Sequence, residues 1–323
     1  MNLTLDQLQV FLDVARTGSI TRTAESLHLT QPAVSIRLRN LQNRFEIPLT
    51  ETINRRIYLT EFGRELAKKA ASILDEVEAL DEKAQAFRGR LTGRLRIACV
   101  STGIYVLPRF LTDFLQPNPG VNLSLDVSNK ARVVETLERN ETDFALVSVL
   151  PVGMNLKRVS LMPNLLHLAC SIHQRDIPEK HEVRKLESLP LIFREQGSAT
   201  RLAMEKFIGR KKIHIGKKLE LTSNEAVKQA LIAGLGYSVM PLIGLRNELQ
   251  QGTVKIVPMD GLPLKTSWEL IWRADKRLSP VAQAFVLHLK RSKSSIIEQH
   301  FKGYAALGPF SQAASPYPEN EPV

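Results

Sequence analysis

Two groups of residues carry chemistry that can be read from type and spacing. Near the N-terminus, Thr30-Gln31-Pro32 opens a stretch in which Val34, Leu38, Leu41 and Phe45 recur at helical spacing. Those four share one face. At about 100° per residue the opposite face carries Pro32, Ile36, Arg39 and Asn43, with Gln31 and Ser35 flanking it near its start. A glutamine amide pairs bidentately with adenine, a guanidinium pairs with guanine, and an outward isoleucine rests on a thymine methyl. This face therefore has the side chains of a major-groove reader, although an outward Ile36 covering a neighbouring loop fits that position equally well. Farther on, Arg55 and Arg56 follow Asn54 in TETINRRIYLT, where two short extended stretches meet at a turn. Guanidinium groups on such a hairpin suit the phosphate backbone or the minor groove.

The second group lies where extended segments give way to helices: Ser101, Thr102 and Gly103; Ser128, Asn129 and Lys130; Ser198 and Thr200; Thr222 and Asn224. Ligands of open α/β sheets bind at such carboxyl ends, and helix N-termini offer free N–H groups to anions. Capping alone explains one such end. Four of them converge on a single cleft if two lobes face each other. Catalytic apparatus is not indicated: no GxSxG, P-loop or HExxH segment occurs and no carboxylate pair is set apart, so a non-enzyme is expected. The two cysteines, Cys99 and Cys170, form no CxxC pair, and the seven histidines lack ligand spacing. No disulfide framework, metal or other cofactor is expected, and His167 and His173, in or beside apolar stretches, are structural.

Elements must hold these groups. Leu3, Leu5, Leu8, Phe11, Leu12 and Ala15 give a first helix that Gly18 ends. A short helix over 21–27, a turn at His28-Leu29-Thr30 and a longer helix from 31 to about 45 follow. Thr30 caps the last of these, and Pro32 is tolerated in its first turn. Two helices joined by a brief turn form a helix-turn-helix, with the Asn54 hairpin as its wing. One long helix spans 60–88. Its apolar positions Phe62, Leu66, Ala70, Ile73, Val77, Leu80, Ala84 and Phe87 make a heptad-like seam. At about 40 Å it outreaches a small winged domain, so a partner chain is the expected cover. Past Gly93, strands and helices alternate in an α/β pattern, with strands at RLRIACV, VNLSLDV, FALVSV, LIF, IGKKLEL, YSVMP, KIVPM and SWELIWR. A single helix is expected from Ser101 through Gln116, another near Lys130 and a last one from Ser279. The segment 303–323 lacks periodicity and is expected to be disordered.

The net charge is +11 over 323 residues, but residues 1–60 hold only seven basic against five acidic side chains. Most of the excess lies after residue 96, including a run from Lys206 to Lys218 that is expected to be a solvated face. The first residues do not form a signal peptide, and no apolar run approaches a membrane span of about 20 residues. A cytoplasmic location with no membrane partner is expected.

The run from Leu8 through GSITRTAESLHLTQPAVS to LQ, with the later PL and RRIYLTEFG, resembles the DNA-binding segment of LysR-type transcription regulators. Thr50, Thr52, Ile36 and Gln42 depart from the residues usual there. The resemblance implies that Arg22, Thr30, Gln31, Pro32, Ser35 and Arg55 lie at the surface of double-stranded promoter DNA. It also implies antiparallel pairing of the long helix in a homodimer, and a homotetramer of two such dimers. The remainder resembles the effector domain of that family, a two-lobed α/β fold similar to periplasmic binding proteins. The implied domains are a winged helix-turn-helix at 1–59, a linker helix at 60–88 and an effector domain at 92–300. Within the last, lobe one covers 92–161 plus 268–300 and lobe two 162–267. VSTGIYVLPRFLTDFLQPNPGVNLSLDV, REQGSATRLAMEKF and TSNEAVKQALIAGLGYSVMP resemble regulators of carbon-fixation (RuBisCO) operons. That similarity implies a phosphorylated or nucleotide-like small-molecule effector, with Lys130, Arg194 and Arg201 as cations to pair with it. A solute-binding or enzymatic α/β domain fused to a helix-turn-helix, with no effector control of transcription, is the competing expectation.

Overall fold

The computed structural model describes residues 3–54, 56–87 and 90–304. Helix α1 (Leu5–Thr17) starts at a capping box in which Thr4 accepts from the Gln7 N–H, and ends at Gly18 in the left-handed region, φ 65°. Helix α2 (Ile20–Ser26) is capped by Ser19. The chain turns at His28 into α3 (Gln31–Gln42), whose cap Thr30 accepts from the Ala33 N–H at 3.4 Å. Helix α3 stops three residues before the expected end. The Gln42 side chain ties down the following loop, accepting from the Leu49 N–H at 2.6 Å and donating to the Ile47 carbonyl at 3.3 Å. Val34 and Leu41 are fully buried, and Leu38 and Phe45 pack beside them. Strands β1 (Thr50–Ile53) and β2 (Arg56–Leu59) form the wing, with Ile53 opposite Arg56 and Asn54 at φ 51° in the turn.

Helix α4 (Glu61–Phe87) is 27 residues long. Its seam divides. Phe62, Leu66, Ala67 and Ala70 pack with Leu8, Phe11, Leu41 and Leu49 of the same chain, so the first turns need no partner. Farther along, Ile73 is 43% exposed and Leu80 65% exposed.

The α/β domain follows as β3 (Thr92–Val100), α5 (Leu107–Leu115), β4 (Gly120–Ser128), α6 (Lys130–Glu138) and β5 (Phe144–Val147). It continues with β6 (Leu156–Ser171), β7 (Pro190–Arg194), α7 (Ala199–Lys211), β8 (Lys217–Leu221), α8 (Asn224–Ile232) and β9 (Ser238–Pro241). Last come α9 (Arg246–Gln250), β10 (Val254–Val257), β11 (Leu264–Arg273) and α10 (Pro280–Phe301). One sheet runs β10-β6-β11-β5-β3-β4, with β9 also on β6, while β7 and β8 pair in parallel and meet β9 through Leu191 and Tyr237. Strands β6 and β11, antiparallel from Leu156 to Leu166, carry the chain between two lobes. One lobe packs around Phe110, Phe144, Trp268 and Phe285, the other around Phe193, Tyr237 and Val239.

Strand β6 is the element absent from the sequence expectation. Most of LMPNLLHLAC is apolar on both faces, because from Asn164 onward β6 is covered on both sides, so it lacks the alternation that marks a half-exposed strand. The single helix expected from Ser101 to Gln116 is a 3₁₀ turn at Ser101–Tyr105 followed by α5, with Pro108 in the first turn of α5. The tail falls outside the described residues except for Gly303 and Tyr304. Tyr304 is buried, its hydroxyl accepting from the Leu165 N–H at 3.3 Å. The Lys206–Lys218 cations are exposed, as expected of a solvated face.

Candidate DNA-reading and effector-binding sites

Capping and core packing together decide which way α3 faces. With Val34 and Leu41 turned inward, Gln31, Pro32 and Arg39 are exposed, Ser35 is half-buried, and Ile36 is 55% exposed, so no neighbouring loop covers it. Thr30 is exposed as well, its hydroxyl engaged in the cap. Arg22 is exposed, but its guanidinium donates to the carbonyl of Thr17 at the end of α1. Arg56 lies one residue from the wing tip, and its side chain passes close to Gly18. Arg22 and Arg56 thus both lean on the C-terminal turn of α1. Arg55 lies outside the described residues.

In the α/β domain the strand ends do converge. Ser101, after β3 in one lobe, accepts from the Asn224 amide at 3.0 Å and from an Arg194 terminal nitrogen at 3.3 Å, both from the other lobe. Arg194 also donates to the Asn224 side-chain oxygen. Beside this junction Gly197, at φ 84°, brings the turn after β7 against α6: a Cβ there would meet the Cβ of Ala131 at 3.2 Å and Asn129 at 3.7 Å. Capping accounts for the N-termini of α6 and α8, where Asn129 accepts from the Arg132 N–H and Ser223 from the Ala226 N–H. It does not account for α7. Ser198 stands at that N-cap without making a side-chain cap, and Ser198 and Thr200 are buried at the start of the 13-residue helix. Its first N–H groups are left for another acceptor. Lys130 is half-buried at the neighbouring α6 start. Burial and the ammonium of Lys206, on α7 in the facing lobe, both push its pKa down. The Lys130 ammonium donates to the Leu150 carbonyl at 3.3 Å.

Other expected residues serve the scaffold. Gly103 is buried, and a Cβ there would meet the Cys99 sulfur at 2.5 Å and Leu146 at 2.8 Å, so glycine is needed for packing. Arg201 does not join the cluster as a free cation. It donates to Glu205 at 2.7 Å, to Glu220 at 2.8 Å and to the Arg194 carbonyl at 3.1 Å, bracing the end of β7 from behind. Thr222 is exposed past the end of β8, Ser128 is half-buried at the end of β4, and Thr102 is buried beside Ser101. Three cleft residues were not anticipated from sequence. Glu195 pairs with Arg194 in both oxygens, and Lys228, held by Glu248 at 2.8 Å, lies 5.7 Å over the ring of Tyr105 from the other lobe. Only Glu195 had a signal available, its adjacency to Arg194 at a strand end. A second cleft, of about 1620 Å³, separates the winged domain from the first lobe. Its arginines are already engaged, Arg132 and Arg139 with Glu135 and Arg273 with Asp275. Among the described residues no group of His, Cys, Asp and Glu could hold a metal, and no helix is long and apolar enough to cross a membrane.

A profile of bacterial regulatory helix-turn-helix proteins of the lysR family matches residues 5–64, and a LysR substrate binding domain profile matches residues 88–294. The chain belongs to the LysR family of transcriptional regulators. The HTH-type transcriptional activator CmpR of Synechocystis sp. is 37% identical over 289 residues, covering 89% of this chain and 95% of that protein. The RuBisCO operon transcriptional regulator of Acidithiobacillus ferrooxidans is 38% identical over 287 residues, covering 88% of this chain and 93% of its own length. Among solved structures, the regulatory domain of Synechocystis CcmR in complex with 2-PG is 33% identical with a TM-score of 0.58, spanning 61% of this chain and 96% of that one. Full-length CbnR complexed with its target DNA aligns over 90% of this chain and 99% of its own with a TM-score of 0.61; at 22% identity it shares the LysR-type fold.

Proposed function

We propose that this LysR-family regulator reads double-stranded promoter DNA with α3 and the wing, as a dimer or tetramer joined through α4, under the control of a small anionic metabolite bound between the lobes. Gln31, Ser35, Ile36 and Arg39 are the base readers, Thr30 and Pro32 set the α3 N-terminus on the backbone, and Arg22, Arg55 and Arg56 contact phosphates or the minor groove. The divisions at 1–59, 60–88 and 92–300 follow from these roles. The observation that carries the effector half is the junction of Ser101 with Arg194 and Asn224 across the lobes, beside the uncapped start of α7. Ser101, Thr102, Ser128, Asn129, Lys130, Arg194, Ser198, Thr200, Thr222 and Asn224 surround the ligand, with Gly103 and Arg201 supporting them. A phosphorylated acid suits this set, and 2-PG, named with the CcmR domain, is the first compound to try. The protein acts by binding rather than by catalysis. It works in the cytoplasm, where promoter and metabolite are both available.

Titrating a panel of phosphorylated acids calorimetrically into the full chain and into Arg194→Ala tests the site. Binding by the former and at least a tenfold loss in the latter is expected, roughly the worth of one charge-assisted pair. Equal binding would remove Arg194 from the effector site. Fluorescence polarisation with promoter and random duplexes tests the DNA half: equal affinity for both would leave a non-specific binder.

A further inference from the structure

Strand β7 delivers Arg194 into the inter-lobe junction 4% exposed, where an unpaired guanidinium would be costly. Its counter-charge comes from the next residue. Consecutive strand residues point to opposite faces, yet Glu195 lies flat against Arg194, with Nε to Oε2 at 2.8 Å and a terminal nitrogen to Oε1 at 2.9 Å. The turn after β7, closed by Gly197 at φ 84°, folds the carboxylate back onto the guanidinium. The side chain of Glu195 is 17% exposed, so it sits on the open side of the pair while Asn224 and Ser101 hold the inner donors. A bidentate carboxylate on Arg194 takes the same two N–H donors that a ligand carboxylate or phosphate would take.

We infer that Glu195 is a resident counter-anion of the effector cleft: it neutralises Arg194 when the cleft is empty and must be displaced by the anionic group of the effector. This inference rests on the reading of the cleft as the effector site. Displacement sets a threshold of charge. A monocarboxylate offers Arg194 only what Glu195 already offers from the adjacent residue, so the exchange gains little. A phosphate monoester brings up to two charges and more acceptor oxygens, enough to hold Arg194 and to reach the free N–H groups at the start of α7 as well. The expelled carboxylate has a short path to water. Every anion that takes Arg194 bears the same displacement cost, so Glu195 acts through Arg194 as an affinity threshold that the more strongly held phosphorylated acids clear.

The experiment compares wild type, Glu195→Gln, Glu195→Asp and Arg194→Ala by calorimetry against phosphoglycolate and glycolate and against phosphoglycerate and glycerate, with each variant's fold checked by thermal melting. Glu195→Gln keeps the shape and removes the competing charge. It is expected to bind every acid that takes Arg194 about tenfold more tightly, bringing unphosphorylated acids nearer the measurable range while the ratio between the two classes is unchanged. Glu195→Asp keeps the charge with a shorter reach and falls between. A purely structural role for Glu195 would lower affinity for every probe. If Glu195→Gln binds no more tightly than wild type while Arg194→Ala loses binding, the counter-anion inference is overturned and the effector site stands. Should Arg194→Ala bind as wild type does, or no protein bind any probe, the cleft assignment fails and the inference with it.

Discussion

Asp75 on the linker helix and Arg96 on the first strand of the effector domain meet at 2.7 Å. Around them Asn140 donates to Asp75 at 3.1 Å, Asp143 accepts the Arg96 backbone N–H at 2.8 Å, and Lys276 lies 3.1 Å from Asp143. Burial opposes the charge on Arg96, but the carboxylates of Asp143 and Asp75 more than offset it and raise its pKa. The helix that carries the DNA reader is thus fastened to the lobe that supplies Ser101 chiefly through Asp75, with Glu76 3.6 Å from Arg277 and Glu78 3.6 Å from Arg94. Movement of the lobes has a direct mechanical path to the winged domain.

Breaking that fastening should loosen the helix before it unfolds the domain. Asp75→Asn is expected to cost about 1 kcal/mol and to speed proteolytic separation of the winged domain from the effector domain. Arg96→Ala, which leaves buried Asp143 with Lys276 and the backbone N–H of residue 96, should cost about 3 kcal/mol. Denaturant titration and limited proteolysis give both readings. If Asp75→Asn matches wild type in each, the helix is held by something else.

On the DNA side, Gln31→Ala and Arg39→Ala should each lose about 1–3 kcal/mol on the cognate promoter and little on random duplex. Arg56→Ala should weaken both alike and flatten the salt dependence. A uniform loss in Gln31→Ala, or a promoter-selective loss in Arg56→Ala, would exchange their roles.

The winged domain was largely legible in sequence because each step has a local cause: Thr30 caps, Pro32 fits a first turn, and Val34 and Leu41 alternate with the exposed face at helical spacing. The crossover between lobes was not. From Asn164 to Ser171 strand β6 is buried on both sides, so its residues carry no alternation, and its partners, on β9, β10 and β11, lie far along the chain. The cleft stands between these cases. Strand-end hydroxyls and amides pointed to Ser101 and Asn224, but the division of labour between Arg194, which faces the junction, and Arg201, which braces it, depends on carboxylates brought in from α7 and β8. The pairing of the seam was likewise only partly readable, because α1 covers Ala70 within the chain.

The divided seam predicts two different failures. Ala70→Asp buries a carboxylate in the winged-domain core and should unfold that domain. Leu80→Asp, at a position exposed in the single chain, should leave the fold intact and dissociate the oligomer, with promoter affinity falling as paired sites become independent. Light scattering with circular dichroism separates the two. A Leu80→Asp protein that keeps its oligomeric state would mean that α4 pairs elsewhere.

His167 on β6 is buried, and desolvation holds its pKa at about 4, below its ordinary value of 6.5. The unfolded chain therefore binds the extra proton first as pH falls. The contribution of His167 is complete above about pH 6.5 and declines toward pH 4, by at most about 3 kcal/mol. His167→Leu should flatten the acid side of a plot of melting temperature against pH. An unchanged slope between pH 6.5 and 4 would assign the acid sensitivity to other groups.

We propose that effector and promoter bind one coupled molecule. A ligand can shift DNA binding only if it prefers one arrangement of the oligomer, and reciprocity then requires DNA to change effector affinity by the same factor. The most direct measurement is calorimetric titration of the best-binding phosphorylated acid into the intact protein, alone and saturated with a duplex selected from a random library, alongside Thr102→Val and Asp75→Asn. Effector affinity is expected to differ about 5- to 150-fold with DNA bound, weakened binding is expected in Thr102→Val, and a smaller difference in Asp75→Asn. Equal effector affinity with and without DNA would rule that coupling out.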